Sequence, residues 1–302
     1  RLDACRADVQ SSPRAMNLLI RTDASSSIGL GHIMRDLVLA QHYPDATITF
    51  ACQNLIGTIM DTIPYPVHFL TSNDPEELIN LIRTCSIDLL IIDHYDIDAT
   101  IEKQIKEQTG VSLLCLDDTY EKHHCDILLN HNISADAIRY KGLVPEHCEL
   151  RCGAEYTLIR DEFKTEKQIR REKLYDIFIA MGGSDPTNAT LGILTTLSDD
   201  LSVCVATTSG NPHLSELETF IQDKKNISLK VNSNSIAQLL NQSRLAIITP
   251  SVMVHEVLFM GTPFIAIKTA PNQIDMFEYL RKEKYVVLEE WNADAITRFY
   301  NA

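Results

Sequence analysis

The sequence has no apolar run long enough to cross a bilayer, which argues against an integral membrane protein and against stable membrane insertion. Residues 1–15, RLDACRADVQSSPRA, hold no apolar stretch, so no secretory signal is visible. Met16 opens directly into the first apolar run. It is expected to be the natural start, with 1–15 a non-native or disordered extension. The eight cysteines, Cys5, Cys52, Cys85, Cys115, Cys125, Cys148, Cys152 and Cys204, form no C-x-x-C pair. Most lie in or beside apolar runs and read as buried, reduced thiols of a cytoplasmic protein. Cys115, His123, His124 and Cys125 are close enough to raise a metal site, but their spacing fits no standard zinc motif, and no metal is assigned. The dinucleotide fingerprint G-x-G-x-x-G, the Walker lysine and the nucleophile elbow G-x-S-x-G are all missing. Positive charge is scarce: 27 Lys+Arg against 41 Asp+Glu give a formal net charge of -14, which opposes non-specific nucleic-acid binding. Anionic ligands stay open, because glycine loops and helix ends hold them locally.

What the chain does have is a regular rhythm. Its 302 residues, 45% apolar and 23% charged, suffice for one large or two medium globular domains. In the first half, short apolar runs at 18–20, 47–51, 67–70, 87–92, 111–116 and 127–129 read as strands. Helices are expected after the first run, at 55–60, from Asp74-Pro75 and over 98–108. The rhythm lapses over 143–160, and a domain boundary is placed near Gly153. A charged helix over 161–173 follows, then strands at 175–181, 201–207, 227–231, 245–249, 264–267 and 286–288, separated by helices, with a terminal helix after Trp291. Strand–helix alternation in both halves predicts two α/β, Rossmann-like parallel-sheet domains, 16–153 and 154–302, facing across a cleft. Polar clusters follow three successive strands of the first half, at 23–32, 93–96 and 117–118. Open parallel sheets bind ligands along that edge.

The most informative stretch is MNLLIRTDASSSIGLGHIMRDLVLAQH, residues 16–42. It reads as strand, glycine loop and amphipathic helix, with Gly29 and Gly31 allowing close approach of a ligand. His32 falls in the first helical turn, where the partial positive charge of the helix end favours an anion. A neutral histidine beside a bound anion suits a general base; a simple helix cap fits the spacing equally well. Ser27 is read as a hydroxyl lining the loop. In the second half, Gly182-Gly183-Ser184-Asp185 is a strand-to-helix turn whose backbone amides can cradle a diphosphate, or is a plain tight turn. Ser251, His255 and Glu256 open another helix, and an acidic side chain there either accepts both hydroxyls of a ribose or, as composition alone favours, simply sits well near a helix N-terminus. Tyr95, in Asp93-His94-Tyr95, either orients a sugar or packs in a core.

RTDASSSIGLGHIMRDLVLA, LLIIDHY, HHCDILLN, YKGLVP, RCGAEYTLIRDEF and IAMGGSDPTN occur in that order. Together they resemble the UDP-sugar hydrolase family of pseudaminic acid biosynthesis, over about residues 16–290. The resemblance implies a GT-B fold and metal-independent hydrolysis, without a cofactor, at the anomeric carbon of UDP-2,4-diacetamido-2,4,6-trideoxy-β-L-altropyranose. It implies that His32 activates water, that Tyr95 lies near the sugar, and that the second domain holds UDP. Glu256 then serves the ribose, with Ser251 and His255 on the same helix. The Gly182, Gly183, Ser184 and Asp185 turn serves the diphosphate, and Asn272 and Gln273 reach the donor sugar. Arg21, Asp23, Ser27, Gly29 and Gly31 line the substrate side of the first loop. His255 departs from the asparagine of some relatives, and Ser184 replaces a threonine. Attack opposite the leaving group would invert the anomeric centre. A glycosyltransferase of the same fold and a non-catalytic nucleotide-sugar binder are the competing readings. Asp23 and Asp36 both stand as candidates to orient His32.

Overall fold

The computed structural model describes residues 14–23, 31–55 and 63–296. The helix expected at 55–60 and the site residues Ser27 and Gly29 therefore lie outside the described residues, apart from Leu55. The first domain carries β1 (Asn17–Thr22), α1 (Gly31–Ala40), β2 (Thr47–Gln53), β3 (Val67–Leu70), α2 (Pro75–Cys85), β4 (Leu89–Asp93), α3 (Ala99–Thr109), β5 (Ser112–Leu116), β6 (Ile127–Asn130) and β7 (Glu149–Cys152). Its strands form one parallel sheet in the order β3-β2-β1-β4-β5-β6-β7. The second carries α4 (Asp161–Glu166), β8 (Tyr175–Ala180), α5 (Ala189–Leu194), β9 (Val203–Thr207), α6 (Leu214–Ile221), β10 (Ile227–Val231), α7 (Ile236–Asn241), β11 (Ser243–Ile248), α8 (Val252–Met260), β12 (Phe264–Ile267), α9 (Ile274–Lys282) and β13 (Val286–Leu288). Its sheet is also parallel, in the order β10-β9-β8-β11-β12-β13.

The near-continuous apolar strands follow from burial on both faces. In β1, Leu18 and Ile20 pack with Ile33 and Leu39 of α1 on one face, while Leu19 packs with Leu78 and Ile82 of α2 on the other. The second sheet repeats this: Phe178 and Ala180 face one layer, Ile177 and Ile179 the opposite one. The helix starts are equally local in origin. Asp74 accepts from the Glu76 amide at 3.0 Å, and Asp98 from the Thr100 and Ile101 amides at 2.9 and 3.0 Å, which caps α2 and α3.

Two elements differ from the sequence reading. Strand β7 occupies part of the stretch where the rhythm lapses. It is an exposed to half-buried edge strand, so it lacks an apolar run. The helix expected over 161–173 ends at Glu166. The Asn241 side-chain amide takes the Glu166 and Ile169 carbonyls at 3.2 and 2.9 Å, and Arg171 turns back onto the Glu166 carboxylate at 2.6 and 3.0 Å. The chain changes cores between Leu158, which packs in the first domain, and Ile159, which packs in the second.

A buried ionic lattice holds the carboxyl edge of the first sheet together. The Arg21 guanidinium forms paired bonds to Asp23 at 2.7 and 2.8 Å and donates to Asn73 Oδ1 at 2.5 Å. Asp23 also meets His94 Nε2 at 2.9 Å and accepts from the Gln53 amide at 2.7 Å. Truncating the arginine leaves a buried carboxylate without its counter-charge. Arg21→Met is expected to lower unfolding stability by roughly 3–5 kcal/mol, read as a shift in the urea midpoint. A loss below ~1 kcal/mol would show that Asp23 is neutralised by other means.

Candidate active site

In the first sheet β1 lies between β2 and β4, so successive crossovers leave it in opposite directions and open a crevice at the carboxyl ends. In-register pairing of Thr22 with Asp93 sets the Asp93 carboxylate at that crevice. Helix α1 starts beside it, and His32, Arg35 and Asp36 share one helical face by their spacing. His32 Nδ1 lies 2.7 Å from Asp93 Oδ1. Arg35 donates to both Asp93 oxygens at 2.6 and 2.5 Å, and to Asp118 at 2.9 Å. Burial by itself would raise the Asp93 carboxyl. The charge and hydrogen bonds of Arg35, reinforced by His32, hold it well below the usual carboxylate range. Asp93 is thus an anion that accepts the Nδ1–H of His32, which leaves Nε2 as the basic nitrogen.

The orienting group is therefore Asp93, rather than Asp23 or Asp36. Asp23 is held by Arg21 and His94. Asp36 is fully buried, and neither of its oxygens has a hydrogen-bond partner among the described residues. Burial and the neighbouring Asp93 charge push its carboxyl well above the ordinary value. Tyr95 is 61% exposed rather than core-packed. Its hydroxyl donates to Asp118 Oδ1 at 2.9 Å, and its ring meets the His32 ring edge-on at 4.9 Å. Sequence reasoning missed Arg35 and the orienting role of Asp93. The three-residue spacing of Arg35 from His32 was the available signal.

The second sheet repeats the crevice between β8 and β11. Gly182 adopts φ 87°, which favours glycine. A Cβ on Gly183 would meet Thr208 Cγ2 at 3.0 Å. These two constraints account for the glycine pair. Gly183 and Ser184 are exposed at the sheet edge. Asp185 is buried, and its oxygens accept from the Ala189 and Thr190 amides at 2.9 Å each. Its carboxylate fixes the start of α5. Arg21 and Asp23 are likewise engaged, in the buried ionic lattice with Asn73 and His94. Ser251 stands at the head of α8, its hydroxyl 3.0 Å from that of Thr249. Glu256 is buried, with Oε1 bound by Arg160 Nε at 2.6 Å. Asn272 is exposed, whereas Gln273 Oε1 accepts from the Thr269 and Ala270 amides at 2.8 and 3.2 Å and closes its own turn.

The two carboxyl edges meet through histidines. His255 Nε2 accepts from the Ile133 amide at 3.3 Å, and its ring lies 5.3 Å from that of His131. Both are buried, and neither His131 nitrogen has a partner among the described residues. His131 was missed in the sequence although it follows β6 just as the other polar clusters follow their strands. Arg139 adds an interdomain ion pair to Asp275 at 3.0 Å.

Burial pushes the His255 imidazole down to about 4. Burial, with the charge of Arg35, takes His131 well below its ordinary value. The unfolded chain binds these protons more readily, so the stability involved is complete above pH ~6.5 and declines as pH falls towards the folded values. Each group is expected to add a slope of about 1.4 kcal/mol per pH unit in that window. Denaturant unfolding between pH 6.5 and 4 should show a shallower decline for His255→Asn. An unchanged slope would remove His255 from the acid response.

No protein-family model matches the chain. It is 48% identical over 272 residues to the UDP-2,4-diacetamido-2,4,6-trideoxy-β-L-altropyranose hydrolase of Campylobacter jejuni, covering 90% of this chain and 98% of that protein. Among solved structures it resembles MurG of Acinetobacter baumannii, with TM-score 0.60 at 11% identity over 95% of this chain and 90% of the other. It also resembles the spinosyn rhamnosyltransferase SpnG complexed with thymidine diphosphate, with TM-score 0.62 at 12% identity over 95% and 92%. The architecture is that of the GT-B glycosyltransferases. No helix among the described residues is long and apolar enough to cross a membrane.

Proposed function

Because this chain belongs to the UDP-2,4-diacetamido-2,4,6-trideoxy-β-L-altropyranose hydrolase family, we propose that it cleaves its UDP-sugar with His32 as the base that activates water. The chain is a UDP-sugar hydrolase. The substrate proposed is the UDP-linked 2,4-diacetamido-2,4,6-trideoxy-β-L-altropyranose itself, and the products are UDP and the free sugar. The observation that carries the base assignment is the His32–Asp93 bond at 2.7 Å.

UDP is a good leaving group, so the demanding part of the reaction is delivery of a water molecule. Asp93 fixes the tautomer and orientation of His32, and Arg35 keeps Asp93 ionised. His32 Nε2 then takes the water proton as oxygen attacks the anomeric carbon, and the resulting imidazolium is paired with the Asp93 anion. The glycosidic C–O bond breaks with its electrons on the diphosphate. Water arriving opposite UDP inverts the anomeric centre. Tyr95, edge-on to His32, is assigned to the sugar. In the second domain the exposed backbone of Gly182, Gly183 and Ser184 is assigned to the departing diphosphate, where preorganised N–H donors stabilise growing negative charge. Glu256, one oxygen held by Arg160, offers the other to the ribose. Ser251, Asn272 and Gln273 are assigned to the donor side, and Gly31, at the head of α1, to the substrate side of the first domain. Arg21, Asp23, Asp185 and His255 support these groups from below. The cytoplasmic setting proposed rests on the scattered, unpaired spacing of the cysteines.

UDP release from the UDP-linked diacetamido sugar, in EDTA and with water as the only acceptor, tests the reading. The native protein should turn over fully, whereas His32→Ala should fall by roughly 10²–10⁴-fold. Dependence on an added acceptor would instead indicate a glycosyltransferase, and stoichiometric binding without UDP release a nucleotide-sugar binder. Wild-type turnover by His32→Ala would move the base elsewhere. Asp93→Asn should lower kcat substantially. Asp36→Asn, which leaves the His32–Asp93–Arg35 bonds in place, should stay within a few-fold, and equal losses from both would dissolve the distinction drawn between them. Weakened UDP binding in Glu256→Ala, measured calorimetrically, checks the ribose assignment; unaltered affinity would remove it.

A further inference from the structure

On the α3 face of the first sheet lies a buried cluster that the hydrolytic chemistry does not use. Glu102 of α3, Cys115 of β5 and His123 of the following loop bring a carboxylate oxygen, a sulfur and an imidazole nitrogen within 4.8 Å of one another. Glu102 is fully buried. Its Oε1 meets His123 Nδ1 at 2.7 Å and accepts from the Cys115 thiol at 3.2 Å, and its Oε2 accepts from the His124 amide at 2.5 Å. His123 Nε2 has no hydrogen-bond partner among the described residues, with Asp117 Oδ1 3.9 Å away. Cys125 is fully buried near Cys115, its sulfur 3.7 Å from that of Cys148.

We propose that Glu102, Cys115 and His123 form a binding site for a divalent transition metal of the zinc class. Three features support it. The donors are one thiol, one imidazole and one carboxylate, a set that suits zinc and excludes the all-oxygen preference of calcium and magnesium. A tetrahedral zinc with bonds of about 2.0–2.3 Å spaces its donors roughly 3.3–3.8 Å apart, and the Glu102 oxygen already lies 3.2 Å from the Cys115 sulfur and 2.7 Å from the His123 nitrogen. The Glu102 backbone contact at His124 already fixes the carboxylate, as an outer-shell bond does in metal sites. On binding, the Cys115 thiol proton and the proton between His123 and Glu102 pass to solvent, and the two charges of the ion replace them. The sequence reading set this cluster aside because the loop spacing alone matched no motif. Glu102, thirteen residues before Cys115 and on a different element, supplies what the loop lacks.

The test uses the full chain, reduced and stripped with EDTA, then titrated with Co²⁺ alone. One equivalent should produce thiolate-to-cobalt charge-transfer absorption and tetrahedral d–d bands, displaced by Zn²⁺, and Zn²⁺ should raise Tm. Cys115→Ser, nearly isosteric, and His123→Gln should each weaken binding by more than the roughly 10–100-fold that outer-shell changes cost. Cys204→Ser, a buried cysteine of the second domain, should bind like the native chain. Thermal melts in EDTA establish that the variants fold. Native protein without charge-transfer absorption, or Cys115→Ser with undiminished absorption, overturns the proposal. UDP release followed in parallel reports on the His32 site alone, so the failure of one assignment is separable from the failure of the other.

Discussion

The carboxylate of Asp93 is the point on which the first domain's chemistry depends. It is buried at the carboxyl end of β4, where an isolated charge would be costly. Arg35 provides the counter-charge through two bonds, and His32 takes a third. Each member of this trio needs the others. Without Arg35 the carboxylate would gain a proton and lose its hold on the imidazole. Without α1 packed on β1 through Ile33 and Leu39, neither partner would arrive at the sheet edge. The hydrophobic layer and the site are thus one construction: apolar residues of α1 set its position, and its polar face uses that position.

The same device recurs with different emphasis in the second domain. There the strand edge presents backbone more than side chains. Gly182 takes a left-handed conformation, Gly183 leaves room for Thr208, and Asp185 ties the turn to α5. Amide-rich turns of this kind can hold an anion without a lysine. The proposed reaction would divide labour accordingly, with a basic nitrogen in a defined tautomer from one domain and donors aimed at negative charge from the other.

His131 and His255 join the two edges and are kept neutral by burial. Their contact sets the loop after β6 against α8, the helix that carries Glu256. An asparagine at 255 would retain hydrogen-bonding capacity without the titration, so the imidazole adds acid sensitivity to this interface.

Much of this was legible before any coordinates. Asp74 and Asp98 announce helix starts through capping chemistry, and short continuous apolar runs announce strands, because both are contests among neighbours in sequence. The glycine turn after β8, and His32 at a helix head, are local for the same reason. What the sequence could not decide was partnership. Asp23 and Asp36 are nearer to His32 along the chain than Asp93, yet Asp93 orients it, because parallel pairing of β1 with β4 sets Thr22 beside Asp93. Asp23 is paired with Arg21 and His94, the latter seventy-one residues away. The 161–173 helix failed through Asn241, some seventy residues away, and Glu102 joined Cys115 and His123 only when α3 was laid on β5. Backbone preferences are determined over a few residues, so the sequence alone determined the elements and the turns. Charge compensation and side-chain pairing are determined across the sheet, where neighbours in space are strangers in sequence, and those the tertiary structure decided.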